Sequence, residues 1–362
     1  MPRDLPAGAV QGGSRRFSGE AARGERGAWR ARESSCRSAR VVAFRVGIDE
    51  NGLGPRLGPL VVTAVTAATE GDGNKRAESR PRGKLASRLG DSKALVSFGD
   101  TALGEAWARA VAMRSGAPAS TPDEVARALS LDAAEELRRP CPRDHAAQCW
   151  ATHDERFEAS DEIVAAVLGD LDKLASLGVS ISRVRVAIVC TQRLNDGIAR
   201  GLSRFDLDLH AMERLALDAR AATGRDVIVT CGKVGGFDRY APHFGPLAGW
   251  LHTTIVEGRA RSEYALPALG RLAFVRDADA GHLLVAMASL VGKWMRDLLM
   301  NRIVRYHRQD DDTLPRASGY HDPVTSRFVE ASALARKRRA LPDACFERRS
   351  LARDAALAGR GS

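Results

Sequence analysis

Strands interleaved with helices predict one α/β domain, and three observations carry that prediction. Residues 41–48 form a branched apolar run that reads as a buried strand. Residues 60–67 form a second, β-branched run after a turn rich in Gly and Pro. Residues 280–307 set small and large apolar side chains, among them Ala286, Leu290, Trp294 and Leu298, around the whole helical period, as a buried helix requires.

The remaining elements follow in order. Residues 69–90 are polar, with Gly and Arg, and read as an exposed loop. Helical spacing of Ala and Leu predicts helices over 101–115 and 123–139, and residues 140–156 are irregular. A helix is expected at 160–176, a strand at 184–190 and a long amphipathic stretch at 194–222. Strands are expected at 226–230, 252–257 and 271–276. After the buried helix come a loop at 313–323 and a basic helix at about 327–340. There is no internal repeat, and the pattern places an insertion at about 68–180 within one domain.

The chain has 362 residues and a formal net charge of +10. That charge belongs to its two ends. Residues 1–40 hold nine Arg against four acids, and residues 336–362 hold eight Lys and Arg against three acids. Residues 41–335 are therefore neutral overall. The first end is Gly-, Ser- and Arg-rich and is expected to be a disordered basic arm. The last is expected to be a basic C-terminal tail. An apolar content of 44% excludes disorder of the whole chain. Apolar runs such as 60–68 are too short to cross a bilayer, so no membrane association is expected. Six sparse, irregularly spaced cysteines argue against a disulfide framework. With no export signal, they point to a reducing cytoplasm. Cys141, His145 and Cys149 recur every four residues, but this set lacks a fourth ligand and Pro142 disfavours a regular helix. It does not read as a zinc site.

The first turn carries the chemistry. Gly52, Gly54 and Gly58 invite comparison with a dinucleotide-binding loop, but that loop must open a helix, and here a β-branched strand follows. Asp49 and Glu50 stand where the first strand ends. Paired carboxylates beside exposed glycine backbone suit a hard divalent cation and a phosphate group. Composition alone also allows an ordinary acidic turn.

Four motifs then occur together. Gly47-Ile48-Asp49-Glu50-Asn51-Gly52-Leu53-Gly54-Pro55, followed by Gly58-Pro59, resembles the opening of bacterial ribonuclease HII. Asp91-Ser92-Lys93-Ala94-Leu95 resembles that family's Asp-Ser-Lys-Lys-Leu segment. Residues 286–300, with Ser289, Lys293, Arg296 and Asp297, resemble its Ala-Ala-Ala-Ser helix, and Gly319-Tyr320 resembles its C-terminal Gly-Tyr. The four keep the family's order across residues 41–322.

The resemblance implies a ribonuclease H-like fold, a mixed five-stranded sheet flanked by helices. It implies endonucleolytic hydrolysis of the RNA strand of RNA/DNA hybrids by two-metal-ion catalysis with Mg2+ or Mn2+. RNA/DNA hybrid or ribonucleotide-containing DNA would be the partner and the protein a monomer. Asp49, Glu50 and Asp297 match three of four metal-binding catalytic acids. Asn51, Gly52, Gly54, Lys93, Lys293 and Tyr320 would hold substrate. Three departures mark a divergent branch. Cys231 or Gly232 stands where the family has its third acid, and of Asp238, Asp277 and Asp279 the favoured replacement is Asp279. Leu53 replaces an Arg, and residues 235–240 have no counterpart. The missing acid leaves a second expectation open, a catalytically weakened or inactive binder of nucleic acid on the same fold. Lys337 to Arg339 and Arg348-Arg349 are expected to be exposed basic runs.

Overall fold

The computed structural model describes residues 42–141, 148–234, 236–309 and 311–349. The basic arm expected at 1–40, His145 and residues 350–362 lie outside them. The described strands are β1 (Ala43–Asn51), β2 (Leu60–Thr69), β3 (Val179–Val189), β4 (Val227–Gly232), β5 (Thr253–Val256), β6 (Arg261–Leu266) and β7 (Gly270–Val275). They form one sheet in the order β3-β2-β1-β4-β7-β6-β5. β1 pairs antiparallel with β2 and parallel with β4, and β4 runs parallel to β7. Five strands, β3-β2-β1-β4-β7, make the mixed sheet of the ribonuclease H-like fold. The antiparallel pair β6 and β5 extends it to seven.

The helices are α1 (Gly73–Ala77), α2 (Ser92–Leu95), α3 (Ala102–Arg114), α4 (Pro122–Leu129), α5 (Ala134–Arg138), α6 (Asp161–Ser176), α7 (Thr191–Ala199), α8 (Arg204–Thr223), α9 (Ala278–Gly281), α10 (Leu283–Arg308), α11 (Pro323–Ala331), α12 (Ala333–Arg338) and α13 (Asp343–Phe346). They cover both faces of the sheet. Alternation along β1 sends Val46 and Ile48 to the face covered by α8, where Leu209, Met212 and Leu215 are buried with them. Gly47 takes the other face, against α10. A Cβ there would sit 2.4 Å from the carbonyl carbon of Leu284, so only glycine lets this helix approach the strand so closely. α3 and α6 complete that layer around Trp107, whose indole Nε1 donates to the Arg88 carbonyl at 2.7 Å.

Several expected elements are redrawn by tertiary contacts. The helix read over 123–139 breaks between α4 and α5, because the Leu131 N–H leaves the helix to donate to Val186 of β3 at 2.8 Å. The stretch 194–222 divides at Ser203, whose hydroxyl caps α8 in a capping box with Asp206. β3 begins at Val179, earlier than expected, because it pairs with β2 as far as Thr69. The exposed loop read over 69–90 contains α1 and a 3-10 turn at Gly83–Ser87. β6 was not expected at all: its Arg, Ser and Glu hide a strand that exists through pairing on both edges.

The basic tail expected from 336 is also corrected. Residues through 348 pack onto the body. Leu341, Cys345 and Phe346 are buried with Leu57, Met300 and Phe328 in a core of their own. Arg348, expected in an exposed run, is 4% exposed. It donates to the carbonyls of Gly52 at 2.7 Å and Gly58 at 2.8 Å, so it braces the glycine turn from behind. Among the described residues no helix is long and apolar enough to cross a membrane.

Candidate active site

The parallel pair β1 and β4 end side by side, with Ile48 opposite Cys231, and a cleft of about 500 Å3 opens past their ends. Asp49, Glu50, Asn51 and Gly52 line it from β1 and the turn. α10 contributes Ser289, Lys293, Arg296 and Asp297, whose spacing of four, three and one keeps them on one helical face. Ser92 and Lys93 come from α2, Asp279 from α9, and Tyr320 from the loop before α11.

These parts are locked together by hydrogen bonds. The Asp91 carboxylate accepts from the Lys93 N–H at 2.9 Å and caps α2. The Ser92 and Ser289 hydroxyls share a buried bond of 2.9 Å. Lys293 Nζ donates to the carbonyls of Val96 at 2.6 Å and Ser92 at 3.2 Å, so this lysine holds the α2 segment against α10. Arg296 donates to Asp297 Oδ1 at 3.0 Å and to the Ser318 carbonyl at 2.8 Å, and its guanidinium lies 4.5 Å from the centre of the Tyr320 ring. Gly52 adopts φ of +93°, and a Cβ there would meet Arg296 Nε at 2.8 Å.

Burial governs the acids. It raises the Asp49 carboxyl well above its ordinary range, with Glu50 adding to the rise and the Ser289 hydroxyl opposing it. Glu50 is pushed up to about 7, again mainly by burial. Asp297 is raised to about 6, with Arg296 and Lys293 working against the burial. Glu50 and Asp297 are thus poised to trade a proton for a cation near neutral pH.

Nearly all the expected site residues meet in this cleft. Asp49, Glu50, Asn51, Gly52, Lys93, Asp279, Lys293, Asp297 and Tyr320 line it, and Gly54 does not. Its carbonyl faces Arg204 at 3.5 Å instead. Asp279 acts electrostatically on both Asp49 and Glu50, whereas Asp238 is paired with Lys233 at 3.3 Å. Of the two residues expected at the third acid position, Cys231 is wholly buried in the core under α8 and Gly232 lines the cleft. A Cβ at Gly232 would lie 2.8 Å from Asp49 Oδ1, so no side chain flanks Asp49 from this strand end.

Sequence reasoning missed Arg296, Phe98 and Asp208. Arg296 adjoins Asp297 in the quoted motif and was legible there. Phe98 had no signal. Asp208 lies on α8, wholly buried, with no hydrogen-bond partner for either oxygen among the described residues. The charges acting on it are those of Glu50 and Asp49, and burial raises it well above the usual carboxylate range. Its position beneath the strand, invisible in the sequence, comes from the face of α8 turned to the sheet.

The donor set suits Mg2+ or Mn2+, since both take carboxylate oxygens and no thiol faces the cleft. Asp297 Oδ2 is buried with no hydrogen-bond partner among the described residues. Asp49, Glu50 and Asp297 therefore fit a divalent cation in kind. Among the described residues, however, no three His, Cys, Asp or Glu side chains meet closely enough to hold one ion as they stand. Strand alternation explains this, because Asp49 follows Gly47 onto the α10 face and Glu50 follows Ile48 onto the α8 face.

No family model matches the chain, and no curated protein does. Solved structures similar to it are ribonucleases H of the HII and HIII types. Ribonuclease HII of Archaeoglobus fulgidus, solved in complex with PCNA, is 21% identical, with 85% of this chain and 95% of that one covered at a TM-score of 0.39. Bst-RNase HIII in complex with Mn2+ is 12% identical over 84% and 66% of the two chains, at 0.40. Ribonuclease H2 of Pyrococcus horikoshii is 15% identical over 84% and 92%, at 0.34. The chemistry of the cleft rests on the chain's own residues.

Proposed function

We propose that the chain is a divalent-cation-dependent endoribonuclease that hydrolyses the RNA strand of RNA/DNA hybrids. The observation that carries this reading is the joining of all four motifs at one cleft, where Asp49, Glu50 and Asp297 stand beside Lys93 and Tyr320. Asp49, Glu50 and Asp297 would hold the cations, with Asp279 a further acid acting on Asp49 and Glu50. Bound Mg2+ or Mn2+ supplies activation of water and stabilisation of the departing oxygen.

The chain's own residues do the rest. Lys93, on the cleft wall, meets a backbone phosphate. The Gly52 turn, braced by Arg348, presents backbone where a side chain would block the strand. Tyr320 is 47% exposed and Phe98 36%, so both rings face solvent at the cleft and suit stacking on a sugar or base. Lys293 orients Lys93 by fixing the segment that carries it.

The bare side of Asp49 supports a second reading, a protein that holds hybrids and cuts them weakly or not at all. Cleavage of an end-labelled RNA/DNA hybrid with Mg2+ or Mn2+ separates the two. Wild type is expected to cut internally and Asp49→Asn to lose cutting while retaining binding. Binding without cleavage at any cation concentration would establish the second reading.

A further inference from the structure

Four of the five described cysteines surround one small cavity away from the cleft. Cys141 follows α5, Cys149 lies in the 3-10 turn Gln148–Trp150, Cys190 joins β3 to α7, and Cys345 belongs to α13. They come from positions separated by more than half the chain, yet the Cys149 thiol feels Cys190, Cys345 and Cys141. The cavity holds about 20 Å3 behind an almost wholly apolar wall that includes Trp150 and Leu299. That is room for a single ion or water, and far too little for an iron–sulfur cluster.

We propose that Cys141, Cys149, Cys190 and Cys345 bind one Zn2+ as a tetrahedral four-thiolate site. Soft sulfur donors in a set of four select zinc. The sulfurs line the cavity without yet meeting about one point, so binding turns them inward. The four thiols release four protons to solvent as four zinc–sulfur bonds form, and no electron is transferred. The resulting local charge is offset by nearby cations and dipoles. Burial raises both thiols, and against it Arg302 acts on Cys149, and Arg193 with the N–H groups of Gln192 and Arg193 on Cys190, in favour of the thiolate.

The site has a structural consequence. It would clamp the C-terminal segment to the insertion and to the end of β3. Gln148 already donates to the Cys345 carbonyl at 2.8 Å and Asn195 to that of Ala344 at 2.8 Å. Three residues beyond Cys345 stands Arg348, the brace of the Gly52 turn. Zinc would thus fix the turn without touching the cleft.

Elemental analysis of full-length protein, produced in zinc-containing medium and purified without chelator, tests this. About one zinc per chain is expected, falling to roughly a tenth or less in Cys149→Ser and in Cys345→Ser and persisting in Cys231→Ser. Should the serine variants not fold, chelator-stripped wild type carries the test: added Zn2+ must protect four thiols from alkylation, and Co2+ must give a thiolate charge-transfer band. Absence of zinc with no uptake by the stripped protein overturns the proposal. So does iron in its place, disulfides among the four cysteines, or equal loss of zinc in Cys231→Ser. Each of these outcomes is read from metal and thiol content, independently of whether the protein cleaves hybrids.

Discussion

Ser92 and Ser289, 197 positions apart in sequence, share a buried hydroxyl–hydroxyl hydrogen bond of 2.9 Å. It joins two of the motifs across the cleft wall, and the Ser289 hydroxyl also favours the charged form of Asp49. The bond therefore ties the lysine-bearing α2 to α10, the helix that carries Asp297. Alanine at either position leaves a buried hydroxyl unpaired, costing about 1–2 kcal/mol in urea melts. The double variant should cost less than the sum of the singles, with a coupling of about 1 kcal/mol. Strict additivity would show that the two hydroxyls do not act on each other.

Proton and cation compete at the cleft. Asp297 releases its proton near 6 and Glu50 near 7. Mn2+ affinity measured by calorimetry should climb between about pH 5.5 and 7.5, by up to about tenfold per pH unit for each proton displaced. Hybrid cleavage should rise over the same window. A flat affinity profile would place Mn2+ away from these carboxyls.

Asp208 destabilises the cation-free protein, because a buried carboxylate without partners loses its hydration and gains nothing in return. Its folded-state pKa is raised above that of the unfolded chain. It therefore costs nothing below the unfolded value, near 3.8, and stability is lost as pH rises toward the folded one. Asp208→Asn mimics the neutral form. It should stabilise the protein by about 1–2 kcal/mol in denaturant melts at pH 8 and by much less at pH 4. An equal gain at both values would mean that the effect is not one of charge.

Gly292 lies inside α10, where alanine ordinarily stabilises a helix by about 1 kcal/mol. Here a Cβ would sit 2.7 Å from Asn51 Nδ2 and 2.8 Å from Thr63 Oγ1, both buried atoms of the sheet. Overlap should outweigh helix propensity, and Gly292→Ala should lower stability by about 1–3 kcal/mol. A higher melting temperature would show that the sheet yields.

Much of the fold and most of the cleft were legible because they are local or carried by motifs. The strand ending in Asp49 and Glu50, the glycine turn and the helix bearing Lys293 and Asp297 each announce themselves through a short run of residues. Gly54 stands outside the cleft, and its motif cannot show where the turn carries it. Lys293 looked like a phosphate contact, yet two backbone carbonyls occupy its ammonium. Arg348 looked solvated because charge in a short basic run carries no sign of the carbonyls it finds.

Periodicity and motif fixed which residues face the sheet, where β1 ends and which acids stand there, because these depend on neighbours within a few positions. Only the tertiary structure decided that Gly232 rather than Cys231 faces Asp49, that Asp208 lies under Glu50, and that Cys190 and Cys345 join Cys141 and Cys149. Those relations are set by strand register and helix packing between distant segments, and contacts of that kind leave no trace in the spacing of residues along the chain.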